Sequence, residues 1–96
     1  MTIKMSKFGY VLTSRQAGKD AFAAFMPTLA EAKSGEEVLV DFEGVNTFSP
    51  SWGDEFLTPL HEKFGDALTL INASNPSVSL TLETLEGIHG YKLRTA

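Results

Sequence analysis

Two short, nearly all-apolar runs constrain this chain more than anything else in it: Val38-Leu-Val-Asp-Phe42 and Ala67-Leu-Thr-Leu-Ile71. Each has the length and composition of a buried strand. Each follows a longer segment whose apolar residues recur every three or four positions. Ala17, Ala21, Phe22, Phe25, Met26, Leu29 and Ala32 form the first such stripe. Trp52, Phe56, Leu60 and Phe64, widened by Leu57, form the second. Alternating helix and strand implies an α/β layer structure with parallel pairing and right-handed crossovers.

The punctuation fits that pattern. Lys7–Thr13 reads as a first strand with Phe8, Tyr10 and Leu12 on one face, and Ile3–Met5 as its candidate hairpin partner. Val38–Phe42 reads as a central strand covered on both faces. Ser14 suits an N-cap, and Gly35 the residue just past the end of the first helix. Pro27 and Pro59 each remove a helical hydrogen bond, so a kink or break is expected at both. Gly65 ends the second helix. Asn75-Pro76 suits a cap followed by proline in the first helical position, which favours helix for residues 77–86. Residues 88–93 read as a last short strand or a loose tail.

Ninety-six residues at 43% apolar and 21% charged make one globular domain, residues 1–96. The net charge of −4 gives no basic footprint for nucleic acid. Cysteine is absent, so disulfides, thiolate catalysis and cysteine–metal sites are excluded. No apolar run approaches a membrane span, and the first ten residues lack the core of a signal peptide. A cytoplasmic location is the expectation.

The segment Phe48-Ser-Pro-Ser-Trp-Gly-Asp-Glu-Phe56 carries most of the chemistry. Two capping frames fit it. In one, Ser51 caps and Asp54 completes a variant capping box. In the other, Ser49 caps and Pro50 takes the first helical position. Both put Asp54 and Glu55 near the positive end of the helix dipole. A serine at such a start is also a candidate phosphorylation switch, since free N–H groups there accept phosphate. Asp54 and Glu55 would repel that phosphate. Trp52 reads as a core residue, or else as an anchor for a partner.

Catalytic readings are weak. Ser51 and His61 lie about 15 Å apart along a helix axis, too far for a hydrogen bond. No Gly-x-Ser-x-Gly elbow, Walker loop, Gly-x-Gly-x-x-Gly or His-Glu-x-x-His occurs. No cofactor or metal is expected, and the chain reads as a non-enzyme. Asp41 reads as a strand-end residue capping the next turn. Arg15 is either solvated or paired with one of the acids.

Three motifs carry a resemblance. Asp41-Phe-Glu-Gly-Val45 resembles the strand end and turn of STAS domains, the fold of bacterial anti-sigma-factor antagonists. Ser14-Arg15-Gln-Ala-Gly18 and Ser51-Trp-Gly-Asp54-Glu55 resemble helix starts in STAS-like proteins of unassigned function. The likeness runs over roughly residues 8 to 86. It implies a mixed β-sheet with helices packed mainly on one face. It also implies partner switching. Better-known members bind a histidine-kinase-like ATPase that phosphorylates the serine matching Ser51, with Ser49 a weaker candidate. Ser49, Ser51, Trp52, Gly53, Asp54 and Glu55 are then the partner-binding candidates. The alternative is a small-molecule binder or small enzyme using Asp41, Asp54, Glu55 and Arg15.

Overall fold

The structure is a computed structural model covering residues 1–96. Its strands are β1 (Thr2–Lys4), β2 (Val11–Leu12), β3 (Val38–Asp41), β4 (Thr47–Phe48), β5 (Leu68–Ile71) and β6 (Arg94–Thr95). Its helices are α1 (Arg15–Leu29), α2 (Pro50–Phe64) and α3 (Pro76–His89). Four strands form one sheet in the order β1-β3-β5-β6, and β2 pairs with β4 in a separate two-stranded ribbon. The α/β class, with three helices on a four-stranded sheet, is that of a STAS-like fold. Every ladder is parallel, where a mixed sheet was expected.

Register explains the one-sided packing. Ile3 pairs with Val40 and Val40 with Leu70, while Val38 pairs with Leu68. All five are buried. Side chains alternate across a strand, so this row faces the helices. The other face carries exposed Thr2, Lys4 and Arg94 beside half-buried Leu39, Asp41 and Ile71. β3 is therefore central in the sheet but fully covered on one face only.

The hairpin expected between Ile3–Met5 and Lys7–Thr13 does not form. Residues Met5–Phe8 make a 3-10 turn with Met5 wholly buried, and β1 pairs with β3 instead. That turn takes Lys7 and Phe8 out of the expected strand, of which only Val11–Leu12 remains. Phe8 joins an aromatic cluster with Phe25 and Phe56, whereas Tyr10 stays exposed.

α1 starts where Ser14 Oγ accepts the Ala17 N–H at 3.2 Å. It ends at Leu29 rather than running on to Gly35. Pro27 cannot donate to the Ala23 carbonyl, which weakens the last turn. Tighter bonds then take over, from Glu31 N–H to Thr28 and from Ala32 N–H to Leu29. Gly35 sits in a separate turn at φ +80°. α2 by contrast passes through Pro59 as one element and stops at Gly65. Its buried stripe of Trp52, Phe56, Leu57 and Leu60 holds it in place despite the lost bond. α3 is capped by Asn75, whose Oδ1 accepts the Ser77 N–H at 2.7 Å. It runs to His89 and ends at Gly90 in the left-handed region, so the last strand begins only at Arg94.

Candidate functional site

The start of α2 follows the Ser49 frame. Ser49 Oγ accepts the Trp52 N–H at 3.2 Å, and Pro50 occupies the first helical position. The Ser51–Asp54 capping box is absent. The first turn of α2 holds no acid, because Asp54 and Glu55 fall one turn further in. Ser51 is half-buried, and its hydroxyl has a single partner, Ser49 Oγ at 3.3 Å.

Asp54 instead joins all three helices. Its Oδ2 accepts from Arg15 Nη1 of α1 at 3.1 Å. Its Oδ1 accepts from Thr58 Oγ1 at 3.0 Å and meets His89 Nε2 of α3 at 2.6 Å. Thr58 has one proton and gives it to Asp54, so Tyr91 must donate to Thr58 across their 2.9 Å contact. The Tyr91 ring in turn lies between His89 and His61, with centroids 5.3 and 4.6 Å away. Burial works to raise the Asp54 carboxyl, but donation from Arg15, His89 and Thr58 outweighs it and holds the group below the usual carboxylate range. Burial raises the Tyr91 phenol.

Arg15 Nη1 also donates to Glu55 Oε2 at 2.7 Å, so one guanidinium serves both acids. The repulsion expected between these acids and a group on Ser51 is therefore partly offset by a cation. Two features of the sequence become one here. A Cβ on Gly18 would stand 2.5 Å from the Trp52 carbonyl oxygen, so only glycine admits the α1–α2 crossing. Arg15 lies one turn before Gly18, and the crossing brings it over Asp54 and Glu55.

Other expected site residues lie elsewhere. Trp52 and Gly53 are buried and cannot form part of a surface. Trp52 stacks on Phe56 with centroids 5.2 Å apart. Gly53 packs so that a Cβ would meet Phe48 and Leu85 at 3.0 and 3.1 Å. Of the six candidates, half-buried Ser49, Ser51, Asp54 and Glu55 remain accessible, beside exposed Pro50. Asp41 belongs to a separate set. Its Oδ1 accepts from Asn72 Nδ2 at 2.8 Å and from the Glu43 N–H at 2.9 Å, and these bonds lower its pKa. This is the strand-end cap expected of it. Nothing in the sequence marks His89 or Tyr91 as neighbours of Asp54. Only the spacing of Thr58 from Asp54, four residues on one helix, offered a signal. His89 and Tyr91 arrive through the packing of α3.

Three cavities of about 340, 320 and 210 Å³ open on the surface. Arg15, Asp54 and Glu55 line none of them, while Asp41 borders the smallest with Lys4, Ser6 and Glu43. No group of three or more histidine, aspartate or glutamate side chains is placed to hold a metal ion. No helix is long and apolar enough to cross a membrane.

A parallel α/β sheet with its helices on one face, and a serine-bearing helix start at one end, define a STAS-like domain. Residues 26–78 match the family described as STAS-like domain of unknown function (DUF4325), and the chain belongs to that family. No curated protein and no solved structure matches the chain.

Proposed function

We propose that this domain is a non-enzymatic protein-interaction module in bacterial signalling or transcriptional regulation. Its docking surface is the turn bearing Ser49, Ser51, Asp54 and Glu55, and its partner is a histidine-kinase-like ATPase. Ser51 is the switch. One observation carries this reading: Ser49 performs the capping, which leaves the Ser51 hydroxyl outside the cap with one long contact. Modifying Ser51 would then alter the surface without undoing the helix start. The step is transfer of the γ-phosphoryl group of ATP to Ser51 Oγ. The bond from phosphorus to the ADP oxygen breaks, a bond to Oγ forms, and the hydroxyl proton leaves to solvent. The product adds about −1.5 to −2 charge units to the turn.

A small-molecule or catalytic role would need Asp41, Asp54, Glu55 and Arg15 to converge on one pocket. Asp41 is bonded to a different set of residues, and Arg15, Asp54 and Glu55, joined through Arg15 Nη1, line no cavity. The interaction reading is therefore the stronger. Its test is a binding titration of wild type, Ser51→Ala and Ser51→Glu against purified histidine-kinase-like ATPases, with radiolabelled ATP to follow transfer. Binding by wild type and Ser51→Ala, loss with Ser51→Glu and label only on the wild type are expected. Absence of binding by every form would overturn the reading.

A further inference from the structure

We propose that Arg15 reads the charge on Ser51, moving its guanidinium from Glu55 to a phosphate on that serine. The inference rests on Ser51 being the modified position. The cation, and not the helix end, is the group that would meet the phosphate. Ser51 lies three and four residues before Asp54 and Glu55, and Thr58 four and three after them, so all four share one face of α2. Arg15 reaches across that face from α1 to bond both acids.

Two properties make the guanidinium a reader. Its side chain is 56% exposed, so it can swing through solvent rather than through packed core. Both of its bonds leave from Nη1, so Nη2 and Nε have no partner in the protein. An arginine presents five N–H donors in a fixed fork that matches phosphate oxygens in pairs. The unused edge of the fork is the part suited to such a pair. A phosphate offers three acceptor oxygens to paired donors of the fork, whereas Asp54 and Glu55 each hold Arg15 by one bond from Nη1.

Asp54 and Glu55 differ in what they lose. Asp54 keeps Thr58 and His89 when Arg15 turns away. Glu55 keeps no side-chain partner, because Arg15 is its sole hydrogen-bond donor. Modification of Ser51 thus does two things at once. It adds a phosphate and uncovers the carboxylate of Glu55, one turn along the same face. A partner that tolerates the compensated turn then meets uncompensated negative charge.

The test places phosphoserine at position 51 of the full chain during synthesis, so that no kinase is needed. The Arg15 Nε–Hε resonance is followed by NMR, and stability is measured with and without Arg15→Gln. The expected result is a shifted, slowly exchanging Arg15 signal only in the phosphorylated chain. Arg15→Gln should also lower the folded-to-unfolded ratio about two- to fivefold more in that chain, the range of an exposed ion pair. Arg15→Lys, which keeps the charge but not the fork, should restore only part of this. An unmoved Arg15 signal overturns the inference, whether or not the substituted chains fold. If phosphate abolishes partner binding while that signal stays put, the switch stands and this inference alone fails. If the signal moves while partner binding is indifferent to phosphate, the inference stands and the docking role fails.

Discussion

The backbones of Gly18 and Trp52 meet where α1 crosses α2, with a Cβ on Gly18 falling 2.9 Å from the Trp52 Cα and closer still to its carbonyl oxygen. Two effects oppose each other in Gly18→Ala. Alanine gains about 1 kcal/mol in helix propensity. The clash is with backbone, which cannot step aside as a side chain can, and overpacking of this kind costs about 1–3 kcal/mol. The clash is expected to win. A thermal melt should show Gly18→Ala below wild type by several degrees, at roughly 4–8 °C per kcal/mol for a chain of this size. A melting point at or above wild type would contradict so close a crossing.

Ser49 and Ser51 separate in their energetic roles. Ser49→Ala removes the acceptor for the Trp52 N–H, and loss of such a cap costs about 0.5–2 kcal/mol. Ser51→Ala removes a hydroxyl that caps nothing, and about 0.5 kcal/mol or less is expected, as for other surface changes. Urea unfolding of the two variants gives the comparison directly. Equal losses would mean that Ser51 shares the cap.

Asp54 makes the fold sensitive to acid. Burial raises its carboxyl, but the three donors more than offset that, so its folded pKa lies below the unfolded value of about 3.9. The folded state binds the proton less readily. Stability from this group is therefore fully present above the unfolded pKa and is lost as pH falls through the folded one. Asp41 is lowered too, as is Glu36, which accepts the Lys33 N–H and pairs with the N-terminal ammonium, and both add to the same trend. Denaturant midpoints measured from neutral pH down to about pH 2 should fall, and fall less steeply for Asp54→Asn. Parallel slopes for the two proteins would remove Asp54 from the account.

Much of the fold was legible because local signals and tertiary needs agreed. Ser14 and Asn75 cap where their side chains suggested, Gly65 stops α2, and the stripe from Trp52 to Leu60 is buried. The misreadings arose where a distant contact outweighed a local pattern. The alternation of Phe8, Tyr10 and Leu12 suggested a strand, but burial of Met5 and the aromatic cluster took Phe8 elsewhere. Arg15 could be matched to an acid in advance, yet its choice of Asp54 and Glu55 depends on where Gly18 lets the helices cross. His89 and Tyr91 lie far along the chain from Asp54, and no spacing rule reaches across that gap.

The wholly parallel sheet has a kinetic consequence. Thr2 pairs with Leu39, Val38 with Leu68 and Val11 with Thr47, so every such pairing spans a helix or a long connection. No strand can zip onto its neighbour through a tight turn. Each ladder must first absorb the entropy of closing a large loop. The helices therefore have every opportunity to collapse on one another first, with the α1–α2 crossing as the natural nucleus and the strands docking late. On that route, substitutions at Gly18 would slow refolding, whereas those in β6, at the sheet edge, would chiefly speed unfolding.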